Sequence, residues 1–269
     1  GPVSANDLSM TAVKDTLASI PGEHNYIYVR TPLEENEEKN YDEITFYDGL
    51  GRELDFAQSY GADRTDIFIA HHHLIEYDSL GRKEKQWITA PTSFSYMAPE
   101  DLKNGILWDY HDAGKRSYLQ TNYESSPLNR ITEQYGVGDA WGDHPARMEY
   151  LTNIPADSLR CSFYFIDDND SLIRRGDYRS GELQVTKATD EDGKPTYTFV
   201  DKQGRTLLTR LGRGNQQADT YFVFDRFGRI RYVLPPMIND EISAGNLDLY
   251  AYQYLYDSFG RCISKKLPG

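Results

Sequence analysis

The stretch Tyr47-Asp48-Gly49-Leu50-Gly51-Arg52 decides the fold, because its pattern recurs along the chain. Each copy has a large apolar residue, then Asp, two variable positions, Gly and Arg. The other copies are Tyr77-Asp78-Ser79-Leu80-Gly81-Arg82, Val200-Asp201-Lys202-Gln203-Gly204-Arg205, Phe224-Asp225-Arg226-Phe227-Gly228-Arg229 and Tyr256-Asp257-Ser258-Phe259-Gly260-Arg261. A single Asp-x-x-Gly segment is ordinary turn chemistry, whereas repeated copies with the same neighbours indicate a repeated structural unit.

Each copy is typical of a β-hairpin turn. Its Asp can accept hydrogen bonds from the N–H groups two and three residues on, and its Gly can adopt the positive φ that closes a type I turn with a bulge. The flanking residues alternate as in strands, for example over 220–224 and 230–234. The spacing between copies is irregular, which favours hairpins joined by loops of different length over identical solenoid rungs.

The composition agrees with a β fold. The 269 residues include 21 Tyr and 11 Phe, which suit a half-buried pleated surface. We predict a predominantly antiparallel all-β protein of consecutive hairpins in which prolines such as Pro91 and Pro235 end strands. Minor short helices are expected, one of them over 98–104 with its end at Gly105. Residues 7–19 fit either a helix or a disordered lead-in.

Charge and hydropathy exclude two classes of function. The chain has 29 Lys plus Arg against 42 Asp plus Glu, a formal net charge of −13. This surplus disfavours binding to nucleic acids and to anionic membranes, because both need a cationic surface. No run of roughly 18 apolar residues is present, so membrane insertion is not expected.

The two cysteines, Cys161 and Cys262, form no disulfide framework, and whether they pair stays open.

The repeats resemble the tyrosine-aspartate (YD) repeat of the bacterial Rhs family. Residues 25–32, 124–134 with Ala140-Trp141, and 189–196 are similar to an Rhs-type subfamily in which a domain of unknown function precedes the main repeat array. The resemblance covers about residues 24–269. It implies hairpins that wind into a hollow β-shell, as in toxin-complex shells and teneurins, often around a C-terminal effector. The self-cleaving aspartate motif and the effector have no counterpart here, so encapsulation and autoproteolysis are not expected of this chain.

The same resemblance suggests a division of the chain. Residues 1–23 are read as the scar of an expression tag and a lead-in, and residues 24–269 as the Rhs-type region. Within that region we expect a first repeat cluster at 41–91, an irregular middle at 92–198 and a second repeat cluster at 199–269.

The function that the resemblance implies is structural. We expect a non-catalytic scaffold segment of a larger exported bacterial protein, at the cell surface or outside the cell. Its partners would be the rest of the same polypeptide, including further repeats and an effector. The alternative is a carbohydrate-binding or carbohydrate-active module with a protein or glycan partner. Such a module would expose aromatics such as Trp87, Trp108 and Trp141, whereas a scaffold would bury its aromatics between hairpins.

The candidate site residues are therefore those of the repeat turns. They are Tyr47, Asp48, Gly51, Arg52, Tyr77, Asp78, Gly81, Arg82, Asp201, Gly204, Arg205, Phe224, Asp225, Gly228, Arg229, Tyr256, Asp257, Gly260 and Arg261. An active site is needed once, whereas a turn is needed at every hairpin, so the Asp residues are interpreted as turn caps. The Arg residues are expected to pair with a neighbouring turn's Asp or with carbonyls, or to stack on Tyr and Phe.

No catalytic residue or cofactor is predicted. The sequence has no G-x-S-x-G and no recognisable cysteine nucleophile signature, and a glycosidase carboxylate pair cannot be chosen without a distance. His71 and His73 would share one strand face and are the only candidate metal ligands, provided that another strand adds a third ligand. The alternative is a polar strand face that binds no metal, and this is the interpretation adopted.

Two acidic segments resemble calcium loops superficially. They are Asp167–Ser171 and Asp190–Gly193. Counted from Asp167, an EF-hand needs Gly at position six and Glu at position twelve, where this chain has Leu172 and Tyr178. We therefore interpret both segments as acidic hairpin turns, with loose calcium binding as the alternative.

Overall fold

The computed structural model describes most of the chain, which divides into two units. The units comprise residues 1–145 and 146–269. The described residues are 25–33, 40–60, 69–93, 96–109, 116–155, 157–212, 217–238 and 241–269. The lead-in predicted over 1–23, with its segment 7–19, lies outside them.

The described part of the first unit consists of strands, one α-helix and a 3-10 turn. They are β1 (Asn25–Pro32), β2 (Asn40–Tyr47), β3 (Glu53–Tyr60), β4 (Ile69–Tyr77), β5 (Lys83–Trp87), β6 (Ala90–Ser93), α1 (Pro99–Asp109), β7 (Tyr118–Tyr123), β8 (Ile131–Tyr135) and the 3-10 turn Asp139–Trp141. The strands pair antiparallel in the order β1-β2-β3-β4-β5-β7-β8, and β6 pairs with β4.

One expected strand end is wrong. Pro91 lies inside β6, opposite His71 of β4, and does not terminate the strand that starts at Lys83. β5 ends at Trp87 instead. β6 has a strand partner on one side, and an edge strand tolerates proline because its outer N–H groups need no ladder partner.

Two apolar clusters hold the first unit together. In one, Ile44, Phe46 and Ala57 of β2 and β3 are buried. In the other, Leu102 and Ile106 of α1 are buried with Leu74 and Trp87. Residues four apart lie on one face of a helix, so this packing fixes α1 on the sheet.

The same packing explains why the predicted end of α1 is wrong. The sequence predicts an end at Gly105, but the helix continues through this glycine to Asp109. Glycine inside a helix costs only about 1 kcal/mol relative to alanine. Burial of Ile106, one residue later, is worth more than that.

The second unit has the same kind of hairpin architecture. Its elements are β9 (Ala146–Thr152), the 3-10 turn Asp157–Leu159, β10 (Ser162–Ile166), β11 (Leu172–Asp177), β12 (Gln184–Thr189), β13 (Pro195–Val200), β14 (Thr206–Leu211), β15 (Ala218–Phe224), β16 (Ile230–Leu234), the 3-10 turn Pro236–Ile238, α2 (Ala244–Tyr250), β17 (Tyr252–Tyr256) and β18 (Cys262–Lys266). The sheet order is β9-β12-β13-β14-β15-β16-β17-β18, and β10 and β11 form a separate hairpin.

Among the described residues of the second unit, one large cluster forms the core. It includes Val185, Phe199, Leu208, Val223 and Leu234, one from each of five consecutive strands of the sheet. Burial alternates along β13, so one face of this sheet is packed and the other is more accessible. The β10–β11 hairpin covers the packed face, with Tyr164 buried edge-on against Tyr221 at 4.9 Å between ring centroids.

The fold class predicted from the sequence is confirmed. The described chain is mostly antiparallel β-sheet made of hairpins, with short helices. Neither of its α-helices has the length and the apolar character that crossing a bilayer requires.

The glycine of each repeat generates a prediction about stability. Gly228 and Gly260 have φ of 78° and 82°, a region that a β-branched residue rarely adopts. We expect Gly228→Val or Gly260→Val to lower the free energy of unfolding by roughly 1–3 kcal/mol. Ser258→Ala, in the same turn as Gly260, should change it by no more than about 0.5 kcal/mol. Urea denaturation followed by circular dichroism would measure both, and equal effects at Gly260 and Ser258 would contradict the turn assignment.

Candidate functional site

The first repeat turn is closed by its aspartate. The Asp48 N–H donates to the Arg52 carbonyl at 2.9 Å, and the Gly51 N–H donates to the Asp48 carbonyl at 3.0 Å. Asp48 Oδ1 accepts the N–H groups of Leu50 and Arg52 at 2.8 and 2.9 Å. The carboxylate therefore caps the N–H groups two and four residues on, and not two and three as the sequence suggested.

The same geometry recurs at the other four repeats. The Asp and Gly N–H bonds and the two Oδ1 contacts have nearly the same distances at Asp78, Asp201, Asp225 and Asp257. The turn is therefore one structural unit used five times.

The turn arginine pairs with its own aspartate. In all five turns Nε of Arg donates to Oδ2 of the Asp four residues earlier at 2.7 Å. The sequence had suggested a neighbouring turn's Asp, and the structure places the turn's own Asp there instead. Both oxygens of each carboxylate are thus engaged, one by backbone and one by guanidinium.

These contacts favour the ionised aspartates. The backbone N–H of Arg52 is the main cause of the lowered pKa of Asp48. Burial acts to raise the pKa of Asp225, but hydrogen bonds from the backbone and side chain of Arg229 outweigh it and lower the pKa overall. Asp78, Asp201 and Asp257 also have lowered pKa values.

Four of the five repeat-turn arginines also contact the next turn along their sheet. In the first unit, the Arg52 guanidinium carbon lies 4.5 Å from the Tyr77 ring centroid, and that of Arg82 lies 4.6 Å from the Tyr123 ring centroid. In the second unit the corresponding contacts are Arg205 on Phe224 at 5.1 Å and Arg229 on Tyr256 at 4.9 Å. We call this series of contacts the turn ladder. In each contact the guanidinium of one turn lies on the ring of the residue that directly precedes the acidic residue of the next turn.

Hydrogen bonds reinforce the turn ladder. The Tyr77 hydroxyl donates to the Glu53 carbonyl at 2.7 Å, and the Tyr123 hydroxyl donates to the Lys83 carbonyl at 3.1 Å. Each acceptor is the residue that follows the stacked arginine. Arg82 Nη1 donates to the Glu124 carbonyl at 2.9 Å.

The glycine of the receiving turn leaves room for the arginine. A Cβ at Gly81 would lie 3.1 Å from Arg52 Nη1, and at Gly228 it would lie 3.7 Å from Arg205 Nη1. At Gly81 the glycine therefore serves both the positive φ of its own turn and the close approach of the previous turn's arginine, whereas 3.7 Å at Gly228 is an ordinary van der Waals contact.

The structure reveals a further ladder turn that the repeat pattern misses. Glu124 N–H donates to the Arg130 carbonyl at 3.0 Å, and Glu124 accepts a bidentate pair from Arg130 at 2.7 Å. Asn129, just before this arginine, has φ of 56° and takes the place of the glycine. The hydrogen bond from Arg130 is the main cause of a lowered Glu124 pKa, at about 2. The sequence could have revealed this turn by the order of its residues. An aromatic residue is followed by an acidic residue and, several positions later, by an Asn or Gly that directly precedes Arg.

A shift in strand register accompanies every turn that carries an arginine. In each of these hairpins the shift falls just before the aromatic or Val residue of the motif, at Tyr47, Tyr77, Tyr123, Val200, Phe224 and Tyr256. Such bulges increase the local twist of a hairpin. The arginine turns therefore share strand geometry as well as turn geometry.

Two acidic turns have the same closure but no arginine. Asp190 Oδ1 accepts the Lys194 N–H at 2.7 Å, and Asp167 Oδ1 accepts the Ser171 N–H at 2.7 Å. Both are hairpin turns, and the register of the paired strands stays regular next to them. Asp170 has the unusual φ of 65° and forms a bidentate pair with the buried Arg231.

The histidines of β4 occupy different environments. His71 is exposed, and His73 is half-buried beside the ring of Phe56, with burial lowering its pKa. Between them, His72 is fully buried and Nδ1 contacts Asp55 Oδ2. Within the described residues, no cluster of three or more His, Cys, Asp or Glu is arranged to hold a metal ion.

The described tryptophans and the two cysteines differ in their exposure. Trp87 is buried and its Nε1 donates to Glu76 at 2.7 Å, whereas Trp141 is exposed. The side chain of Trp108 lies outside the described residues. Cys161, which is buried, and Cys262, which is exposed, form no disulfide.

An aromatic cavity of about 270 Å³ lies in the second unit. Its walls include Phe163, Phe165 and Tyr178 from the β10–β11 hairpin and the segment after it, and Phe224 and Arg205 from the sheet and its turns. Phe163 stacks on Phe165 with 5.6 Å between ring centroids. Arg205 is already engaged by Asp201 and Phe224, so the cavity is mainly an aromatic surface.

Known proteins share sequence features or the fold with parts of this chain. Residues 24–152, slightly under half of the chain, match the family described as Domain of unknown function (DUF6443). Among curated proteins, no match is found. The family match and the fold support the Rhs-like family inferred from the sequence.

Two solved structures share the fold. One, titled "Crystal Structure of TcdB2-TccC3-Cdc42", matches with a TM-score of 0.54 and 13% identity over 90% of this chain and 11% of that chain. The other, titled "Crystal Structure of TcdB2-TccC3", has a TM-score of 0.51 and 13% identity over 98% of this chain and 13% of that chain. The chain thus spans about a tenth of the length of the structures that it matches.

The lowered aspartate pKa values predict acid destabilisation. Because the folded-state pKa lies below the unfolded value of about 3.9, the stabilisation is complete above that pH and is lost as the pH falls through the folded-state pKa. We expect the free energy of unfolding, measured with urea between pH 7 and pH 2, to fall steeply below about pH 4.

Single variants test the origin of this loss. Asp225→Asn should lower stability at pH 7 and flatten the loss in acid, whereas Asp168→Asn, at an exposed position of another turn, should change neither. An unchanged acid slope in Asp225→Asn would contradict the assignment.

Proposed function

We propose that this chain is a non-catalytic scaffold segment of a larger exported bacterial Rhs-type protein. In this proposal its YD-repeat hairpins form part of a shell wall, and its main partner is the rest of the same polypeptide, including further repeats and an effector. The proposal places the protein at the cell surface or outside the cell.

The turn ladder is the observation that carries this proposal. The recurring aspartates bind their own turns, and the recurring arginines join each turn to the next. The charged groups in these positions therefore connect hairpins. They recur because the contact between neighbouring hairpins recurs. The rings of Tyr77, Tyr123 and Phe224 are half-buried under arginines, as expected when aromatics pack between hairpins.

The comparisons support the proposal at the level of fold. The solved structures that share the fold are complexes by their titles, and their chains are far longer than this one. The fold of this chain is thus compatible with its being part of a larger assembly. The net charge of −13 continues to disfavour a nucleic-acid partner.

The scaffold proposal is tested on the longer natural polypeptide. We expect electron cryomicroscopy to show these hairpins hydrogen-bonded edge to edge with the hairpins that follow, as one continuous wall. A segment that projects on a linker, separate from any wall, would overturn the proposal. So would saturable turnover of a substrate by the purified chain.

A glycan-binding module is the second candidate, favoured by the aromatic cavity of the second unit. Rings such as Phe163 and Phe165 could stack on the apolar faces of sugars, and Arg205 and Arg226 could donate to hydroxyls. Titration with a panel of oligosaccharides, followed by NMR, would test it. Saturable binding that is lost in Phe165→Ala but kept in Phe259→Ala, an exposed ring outside the cavity, would establish the glycan module. The scaffold proposal expects no saturable binding.

A further inference from the structure

The cavity between the β10–β11 hairpin and the sheet of the second unit is larger than packing defects usually are. Its volume is about 270 Å³, whereas protein interiors contain few voids larger than a water molecule. An apolar cavity of about 150 Å³ already accommodates benzene. The cavity beneath the hairpin therefore has room for a ligand of two fused aromatic rings.

Two arginines of the sheet hold the hairpin at both of its ends. At the tip, Arg231 of β16 forms a bidentate pair with Asp170, with 2.7 Å between Nη2 and Oδ2. At the base, the buried Arg210 of β14 donates through Nη1 to the carbonyls of Ser158 and Arg160, both at 2.9 Å. The hairpin cannot settle further onto the sheet without straining these bonds, and an unpaired buried charge is costly. The walls of the cavity are therefore pre-formed, which lowers the cost of binding a ligand.

The walls offer flat aromatic faces. Phe163 and Phe165 of β10 are half-buried and stack with an angle of 25° between their ring planes. Phe163 also meets Tyr178 edge-on, with 4.8 Å between ring centroids. Faces and edges of this kind pack against a planar ring in offset-stacked or edge-to-face geometry. The shape of the cavity therefore favours an aromatic ligand.

Two polar groups of the wall are available to a ligand. The Tyr178 hydroxyl bonds to no described residue, although a buried tyrosine hydroxyl usually has a partner, and burial raises its pKa so that it remains a donor. Arg226 is exposed at the rim and forms an ion pair with no described carboxylate. Its guanidinium carbon lies 4.9 Å from the ring centroid of the neighbouring Phe227.

The other charged groups of the wall are already engaged. Arg205 bonds Asp201, and Asp225 bonds Arg229, each at 2.7 Å. One neutral donor and one cation are too few to satisfy the many hydroxyls of a buried sugar, and an unsatisfied buried hydroxyl is costly. The same two groups match a single carboxylate, which accepts hydrogen bonds and carries the opposite charge to Arg226.

We propose that this cavity binds a small aromatic carboxylate with two fused rings. The rings lie against Phe163 and Phe165, and the carboxylate faces the Tyr178 hydroxyl and the guanidinium of Arg226. This binding site goes beyond the scaffold role and does not depend on it, because the hairpins are joined by the contacts of the turn ladder.

A titration with 2-naphthoate tests the proposal. The acid is added to the isotope-labelled full chain, and amide shifts are followed by NMR. We expect saturable shifts that concentrate on β10, the Tyr178 segment and the Asp225 turn. Cyclohexanecarboxylate has the same charge but no planar ring and should bind roughly ten-fold more weakly. The neutral 2-naphthalenemethanol should bind about two- to five-fold more weakly than the acid. Absence of saturable shifts with millimolar 2-naphthoate would overturn the proposal.

Variants of the aromatic wall test the location of the ligand. Phe165→Ala should weaken binding of 2-naphthoate roughly ten-fold, because the rings lose a stacking partner. Phe259→Ala removes an exposed ring outside the cavity and should leave the affinity unchanged. Circular dichroism of both variants checks that the fold is kept. Equal affinity of the wild-type chain and a folded Phe165→Ala would contradict the assigned site.

Variants of the two polar groups test the chemistry of the ligand. Arg226→Ala should weaken binding of the acid about two- to five-fold and leave that of the neutral alcohol unchanged. Arg175→Ala, at an exposed position that does not line the cavity, should alter neither. Tyr178→Phe keeps the ring and removes the hydroxyl, and should weaken binding of acid and alcohol roughly five-fold. If Arg226→Ala and Tyr178→Phe both bind the acid as the wild-type chain does, the carboxylate assignment is wrong.

The outcomes separate this site from the proposed functions. Oligosaccharide binding at Phe165 without binding of 2-naphthoate would overturn the aromatic carboxylate site and establish the glycan module. Failure of both ligands to bind overturns this site alone, because the scaffold proposal is decided on the longer polypeptide by electron cryomicroscopy.

Discussion

One interaction organises this structure: a turn arginine that bonds its own aspartate and lies on the aromatic residue of the next turn. The bond to the aspartate fixes the guanidinium in one direction, as at Arg52 and Asp48. The stacked ring then couples one hairpin to another far along the chain, as with Tyr77. Turn closure and the joining of hairpins are thus parts of one contact, and loops of different length can connect the hairpins without disturbing it.

The physical chemistry of arginine suits this role. Its planar guanidinium can donate to a carboxylate in its plane and offer its face to a ring at the same time, which lysine cannot do. The turn at Asp190 illustrates the difference, because Lys194 occupies the arginine position and its Nζ lies near Asp192 instead of Asp190. That hairpin also keeps a regular register. Val200 directly precedes the aspartate of the first arginine turn along this edge of the second unit's described sheet. No ladder arginine of an earlier turn in that sheet stacks at this position, so an aromatic ring is not required there.

Sequence patterns anticipated the hairpins and the stacking of turn arginines on Tyr and Phe, but not the aspartate with which each arginine pairs. The order of Asp, Gly and Arg was enough to identify five turns, because local backbone bonds define them. The Glu124 turn escaped because its loop is longer and Asn129 replaces glycine, so a fixed spacing cannot detect it. The choice between own and neighbouring aspartate, the extension of α1 past Gly105, and the buried pair of His72 and Asp55 depend on tertiary packing, which residue spacing does not encode.

The central claim is that ladder contacts couple neighbouring hairpins energetically, and a double-mutant cycle on Arg229 and Tyr256 tests it most directly. The free energies of unfolding are measured for Arg229→Ala, Tyr256→Leu and the double variant. The account predicts a coupling of about 0.5–1 kcal/mol, with additive effects, to within about 0.5 kcal/mol, for Arg226→Ala combined with Tyr256→Leu. Additive effects for Arg229 and Tyr256 as well would contradict it, because the arginine would then only close its own turn.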